Sequence, residues 1–373
     1  MKGLNSVYLD VWRFLAAMGV LLWHAGSLAA APGVLPVIYF NHKLVIIFFV
    51  ISGYVIAASA DRPDRTLVNY GADRLARLSS VVLPALLVTA LLDAIGFRLA
   101  PELYAAVNPH WQWVRFVANA FYCQQIWFFC VNPSSNTPFW SLGYEFWYYV
   151  FLGMWVFIQA GWKRILGLLL LAVLVGPKIL LLLPAWVVGA VAYHLGKHWQ
   201  PGRRTSLALF LGTGMAMVLA LLFEDQLGFN NGQAGAAPLY YSANYGGDNI
   251  FALMVAAHFF CCRLYSNHLG NQLETNRAAK LVKWLAGHTF SLYLYHVPIL
   301  LFIRAAAKYD PHNRLSVVAA VFLACLMIVG LSRLTEEQYP VLRGAFRAWG
   351  ARLSARIQPG SVPSRLPGQT QNA

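Results

Sequence analysis

Apolar positions gather into long runs separated by short polar breaks along most of the chain. Windows able to cross about 30 Å of hydrocarbon at about 1.5 Å per residue fall near 8–28, 41–60, 79–97, 138–160 and 164–182. Five more fall near 184–198, 204–223, 248–265, 284–304 and 315–335. The sixth is short, opens on Pro184 and contains Gly189 and Gly196. The pattern predicts an all-α polytopic membrane protein with about ten transmembrane helices. One apolar segment, 111–131, "WQWVRFVANAFYCQQIWFFCV", carries three tryptophans and Arg115. That composition suits an interfacial or re-entrant depth better than a crossing.

Composition agrees with the pattern: 59% of the 373 residues are hydrophobic and 11% charged, with a mean hydropathy of +0.54. A soluble globular protein is excluded. The distribution of basic residues sets the orientation, because positive loops stay cytoplasmic. With the N-terminus inside, the inner segments hold Lys2, Arg62, Arg65, Arg74, Arg77, Lys163, Arg164, Lys197, Arg203, Arg204, Arg263, Arg277, Lys280 and Lys283. The segment from Arg333 onward adds six arginines, whereas the outer side keeps Lys43, Arg98, Arg115, Lys178, Arg304, Lys308 and Arg314. Both termini are therefore expected in the cytoplasm, and the +14 charge reads as topology rather than nucleic-acid binding.

Residues 1–343 form one expected transmembrane domain, followed by a basic, partly disordered cytoplasmic tail over 344–373 that ends "IQPGSVPSRLPGQTQNA". Lys2, with a small-x-small site at Ala29 and Ala31, resembles a signal peptide, but Arg13 inside the apolar run argues against cleavage. The five cysteines are too scattered for a metal site; Cys261, Cys262 and Cys325 read as packing residues. Cys123 and Cys130, seven residues apart on a helix, would lie too far apart to bond.

Ionisable residues inside the apolar runs carry the chemistry. Arg13 and His24 are eleven positions apart in "LDVWRFLAAMGVLLWHAG", so both project from one helix face about 16 Å apart. Alone, the pair reads equally well as a snorkelling arginine with a capping histidine or as a functional stripe. Glu145 in "FWSLGYEFWYYVF" and His296 in "FSLYLYHVPIL" break the tie, because a buried carboxylate without a partner is costly. Counted from the outer helix ends, His24, Glu145 and His296 lie roughly 6, 10 and 12 Å deep. Arg13 lies near the inner surface, level with Arg74 and Arg77 of "RLARL", one helical turn apart. This gives a cationic inner mouth and a His/Glu/His cluster farther out. It suits an anionic cytoplasmic donor whose phosphates meet guanidinium groups and whose reactive end reaches an acid/base pair. Ser52 and Gly53, at mid-membrane, read first as a small pair for helix packing. A transporter of a small anion or acyl group is the other class these residues allow.

These motifs resemble the membrane acyltransferase family 3. "LDVWRFLAAMGVLLWH" is similar to its Leu-Asp-x-x-Arg opening with the Arg-x10-His signature, and "FFVISGYVI" to its second-helix motif. "RLARL" followed by Pro84 resembles the Arg-x-x-Arg loop. "WSLGYEFWYY" resembles the Trp-Ser-Leu-x-x-Glu element, with Tyr148 in place of a Phe. "SLYLYHVPIL" and "TEEQYP" complete the order, the last leaving Glu336 or Glu337 as its acidic residue. The resemblance implies a ten-helix acyltransferase of the bacterial inner membrane, using acyl-CoA, most simply acetyl-CoA, and no metal. Its acceptor would be a hydroxyl of a cell-surface glycan or lipid-linked saccharide. His24, Glu145 and His296 become the catalytic candidates, and Arg13, Arg74 and Arg77 the donor-binding ones. Outer loops such as 223–249 would meet the acceptor, and the sequence leaves the oligomeric state open.

Overall fold

A computed structural model of the chain describes residues 4–29, 41–63, 65–197, 199–228, 237–269 and 276–357. Thirteen α-helices are described, and no strand among the described residues. They are α1 (Leu4–Ala29), α2 (Asn41–Ala60), α3 (Leu67–Leu99), α4 (Gln112–Ala120), α5 (Trp140–Phe157), α6 (Trp162–Val175), α7 (Pro177–Leu195), α8 (Arg203–Leu222), α9 (Tyr245–Ser266), α10 (Arg277–Gly287), α11 (Thr289–Ala307), α12 (Arg314–Leu334) and α13 (Tyr339–Ile357). Several starts follow from capping. Thr66 accepts from the Asn69 amide at 3.2 Å, Asn276 from the Ala279 amide at 2.7 Å and Asn313 from the Leu315 amide at 2.9 Å. Each satisfies an amide that the first helical turn leaves unpaired.

Eight helices, α1, α2, α3, α7, α8, α9, α11 and α12, are long and apolar enough to cross a membrane. With α5 and α6 the order matches the ten windows. α2 and α11 are central, 72% of each apolar window being buried, whereas α8 is peripheral at 22%. Outward-facing leucines on α3 and α6, among them Leu87, Leu91, Leu169 and Leu170, form an apolar surface suited to lipid.

Three boundaries differ from the hydropathy reading. The third helix begins at Leu67 rather than near 79. The fifth and sixth segments meet at Gly176 and Pro177 rather than near 183, because proline is favoured at a first helical position while Pro184 is tolerated inside α7. α11 starts at Thr289, and α10 before it is a separate amphipathic helix. In the 111–131 segment only α4 is an α-helix, and its nine residues extend about 14 Å, too short to cross. The rest of that stretch is held by side chains. Lys178 donates to Gln125 Oε1 at 2.8 Å and to the Phe129 carbonyl at 2.5 Å, and Asn119 donates to the Val131 carbonyl at 3.0 Å.

α2 and α7 approach closely through reciprocal glycines. A Cβ on Gly53 would strike the Trp186 carbonyl oxygen, and one on Gly189 the Val50 carbonyl oxygen. The first part of the expected tail, 344–357, belongs to the helix α13, which is packed along α3; residues 358–373 lie outside the described residues, as does Ala31.

Candidate active site

A cavity of about 320 Å³ opens among α1, α2, α3, α5, α11 and α13. Arg13 enters it from α1, Ser52 from α2, Arg74 and Arg77 from α3, Glu145 and Tyr149 from α5, Tyr293 from α11 and Tyr339 from α13. The helices place them for simple reasons. Arg74 and Arg77 are one turn apart on α3, and Glu145 and Tyr149 one turn apart on α5, so each pair shares a helix face.

The arginines differ in their counter-charges. Arg13 lies 3.5 Å from Asp10. Arg77 donates to Glu336 Oε1 at 2.5 Å and also sits 5.5 Å from the Phe290 ring centroid. Glu336 is buried, and its other oxygen accepts from the Ser291 amide at 2.9 Å. Glu336, not the exposed Glu337, is thus the acidic residue of the "TEEQYP" motif that pairs with a cavity arginine. Arg74 has no carboxylate partner among the described residues. Its guanidinium lies 5.9 Å from the Tyr149 ring centroid, and its buried Nε lacks a hydrogen-bond partner. Arg74 therefore has the guanidinium charge least committed to the protein.

Glu145 is engaged differently from the sequence expectation. Its Oε1 accepts from Ser52 Oγ at 2.8 Å and from the Tyr149 hydroxyl, while Trp186 Nε1 donates to Ser52 Oγ at 3.1 Å. No hydrogen bond joins Glu145 to either histidine among the described residues, because α5 presents Glu145 to α2 whereas the histidines lie between α1 and α11. Ser52, read from sequence as a packing residue, is the partner of that carboxylate; Gly53 beside it does the packing. Tyr149 and Trp186 escaped notice because aromatic residues in an apolar run carry no sign of what their polar tips meet.

His24 and His296 face one another, with ring centroids 4.9 Å apart at 65°. His296 Nδ1 lies 3.0 Å from the Leu292 carbonyl oxygen, which can only accept, so Nδ1 carries a hydrogen and, in the neutral ring, Nε2 holds the lone pair. Among the described residues that buried Nε2 has no hydrogen-bond partner, nor has Nδ1 of His24. Neither ring lines the cavity wall. Tyr293, which does, stands between: its hydroxyl is 2.9 Å from Ser141 Oγ, and its ring centroid is 6.3 Å from that of His296. The predicted triad thus separates into a carboxylate inside the cavity and a histidine pair about one turn of α11 beyond it.

Farther along, Trp140 stacks on Tyr241 with centroids 4.2 Å apart at 6°, and on His42 at 5.6 Å and 13°. Burial pushes the Tyr241 phenol up to about 12. Asp248 takes Lys43 Nζ at 2.8 Å and His42 Nε2 at 2.9 Å, a polar tie between α2 and α9. No cluster of three or more metal-ligating side chains occurs among the described residues.

The model of a family described as an acyltransferase domain matches residues 6–335. The chain is also 25% identical over 339 residues to a protein named "O-acetyl transferase" from Shigella phage Sf6, covering 85% of this chain and 92% of that one. No solved structure matches the chain.

Proposed function

Because this chain belongs to the membrane acyltransferase family 3 and is an acyltransferase, we propose that it transfers an acetyl group from acetyl-CoA to a hydroxyl of a cell-surface glycan or lipid-linked saccharide. The observation that carries the donor reading is the convergence of Arg13, Arg74 and Arg77 on one cavity, with a histidine pair just beyond it. Guanidinium forks match phosphate oxygens, so the arginines would take the nucleotide end and leave the thioester pointing along the cavity. A saccharide hydroxyl is a weak nucleophile at neutral pH, and a histidine within reach of its proton serves as base. In direct transfer His24 takes the hydroxyl proton as the oxygen attacks the thioester carbonyl. The C–O bond forms, the C–S bond breaks, and the proton passes to the leaving thiolate. His296 would position His24 by offering its Nε2 lone pair to an N–H of that ring. Glu145, held by Ser52 and Tyr149, would place negative charge in the cavity wall and orient the donor or acceptor. A relay through acylated His24 uses the same residues and differs in showing ping-pong kinetics. The name of the phage relative supports an oxygen acceptor; the saccharide class is our own reading.

Purified protein incubated with acetyl-CoA and saccharide should release free CoA thiol in an acceptor-dependent manner. His24→Ala should lose transfer by at least about 100-fold, the lower range for removing a general base, with donor binding largely retained. Near-normal transfer by folded His24→Ala protein would remove His24 from the mechanism. No acceptor-dependent thiol release by the wild-type protein would sink the donor assignment.

A further inference from the structure

At 33 residues α3 is about 50 Å long, so its first turns extend past the roughly 30 Å that a bilayer core requires. α13 runs beside this extension in the opposite sense. Tyr339 reaches the cavity, Arg343 and Arg347 reach Asp73, and Gly350 lies against Val68. Asp73 is buried, accepts three hydrogen bonds and forms a further ion pair with Arg65. Arg343 Nε at 3.0 Å and Arg347 Nε at 2.8 Å bind Oδ1; Arg347 Nη2 at 3.0 Å and Arg65 Nη2 at 2.8 Å bind Oδ2.

One carboxylate therefore faces three guanidinium groups, and no second carboxylate pairs with them among the described residues. Among the described residues, two positive charges are left without a counter-charge. Arg343 commits only its Nε among the described residues, so both its terminal nitrogens can donate, and its side chain is 37% exposed. Like charges held this close repel unless an anion joins them. A single helical turn of α3 separates Asp73 from Arg77, so the cluster adjoins the arginines that line the cavity.

The geometry points to a phosphate site that the C-terminal helix completes: Arg65, Arg343 and Arg347, gathered by Asp73, take a phosphate group at the cavity mouth. A phosphate monoester carries up to two negative charges at neutral pH and three acceptor oxygens, matching the two unbalanced charges and the open guanidinium edges. The inference rests on the donor reading above. A CoA thioester carries such a monoester on its ribose, within the nucleotide end assigned to Arg13, Arg74 and Arg77. The same chemistry is offered by the headgroup of an anionic lipid such as phosphatidic acid.

The test compares acetyl-CoA with acetyl-3′-dephospho-CoA, using wild-type protein, Arg343→Gln and Arg347→Gln in lipid-free detergent, with thermal melts to confirm folding. Arg343→Lys and Arg347→Lys keep the charge and the tie to Asp73 should the glutamine variants not fold. For a donor phosphate, the glutamine variants raise KM for acetyl-CoA about tenfold, equivalent to roughly 1.4 kcal/mol, with kcat changed by less than about twofold. KM for the dephospho thioester stays unchanged, a split that simple loss of helix docking would not give. For a lipid phosphate, both thioesters behave alike in detergent, and activity in zwitterionic vesicles rises with added phosphatidic acid in wild type but not in Arg347→Gln. Wild-type turnover with neither phosphate discrimination nor lipid dependence overturns the site and leaves the cluster as a tie between helices. Absence of wild-type turnover with either thioester sinks the donor reading and this inference with it.

Discussion

Arg74 and Arg77 were indistinguishable in the "RLARL" motif, and their surroundings set them apart. Arg77 neutralises the buried Glu336, whereas Arg74 lines the cavity beside the Tyr149 ring with no carboxylate partner among the described residues. Arg77→Ala should therefore cost stability as well as donor binding, since it strands a buried carboxylate; about 3 kcal/mol is expected, read from the denaturation midpoint. Arg74→Ala should leave the melting point nearly unchanged and weaken acetyl-CoA binding about tenfold, the scale of one charge-assisted contact. Equal melting points for the two variants, or unaltered donor affinity in Arg74→Ala, would remove this distinction. Glu145 makes the complementary case. A carboxylate in an apolar run announced that it needed a partner, yet the partner is Ser52, from a motif whose spacing suggested only packing.

Among the elements, the pair α2 and α7 holds the floor of the site, because Trp186 on α7 donates to the same Ser52 that binds Glu145. Their approach depends on Gly53 and Gly189, each with the partner helix's carbonyl where a Cβ would sit. Gly53→Ala or Gly189→Ala should push the helices apart, costing about 1–3 kcal/mol as overpacked contacts do, and should lower kcat through the displaced Ser52. A variant as stable and active as wild type would show that the helices can part without disturbing the site. The elements that hydropathy misjudged share one cause. Windows register average apolarity, so they miss the polar first turns of α3 and treat Pro184 as a break.

For the whole molecule, both chain ends are expected on the cytoplasmic side, which places α13 and the arginine-rich mouth there and the histidine pair toward the opposite surface. In a background with Cys123 and Cys130 replaced, His312→Cys between α11 and α12 should label with a membrane-impermeant maleimide added outside intact cells, and Ala348→Cys on α13 should not. The reverse pattern would invert the orientation and with it the source of the donor. How much of this was legible follows from what a sequence can encode locally. Apolar runs, basic loops and ionisable residues at helical spacing are properties of single segments, so they yielded the all-helical membrane architecture and the candidate residues Arg13, His24, Arg74, Arg77, Glu145 and His296. Partnership between segments far apart in the chain is not local. That Glu145 meets Ser52, that His24 meets His296, that Glu336 rather than Glu337 meets Arg77, and that Arg343 and Arg347 return to Asp73 were decided only by how the helices pack. The reason is energetic: a buried polar group must find its partner wherever packing brings one, and sequence separation places no limit on where that is.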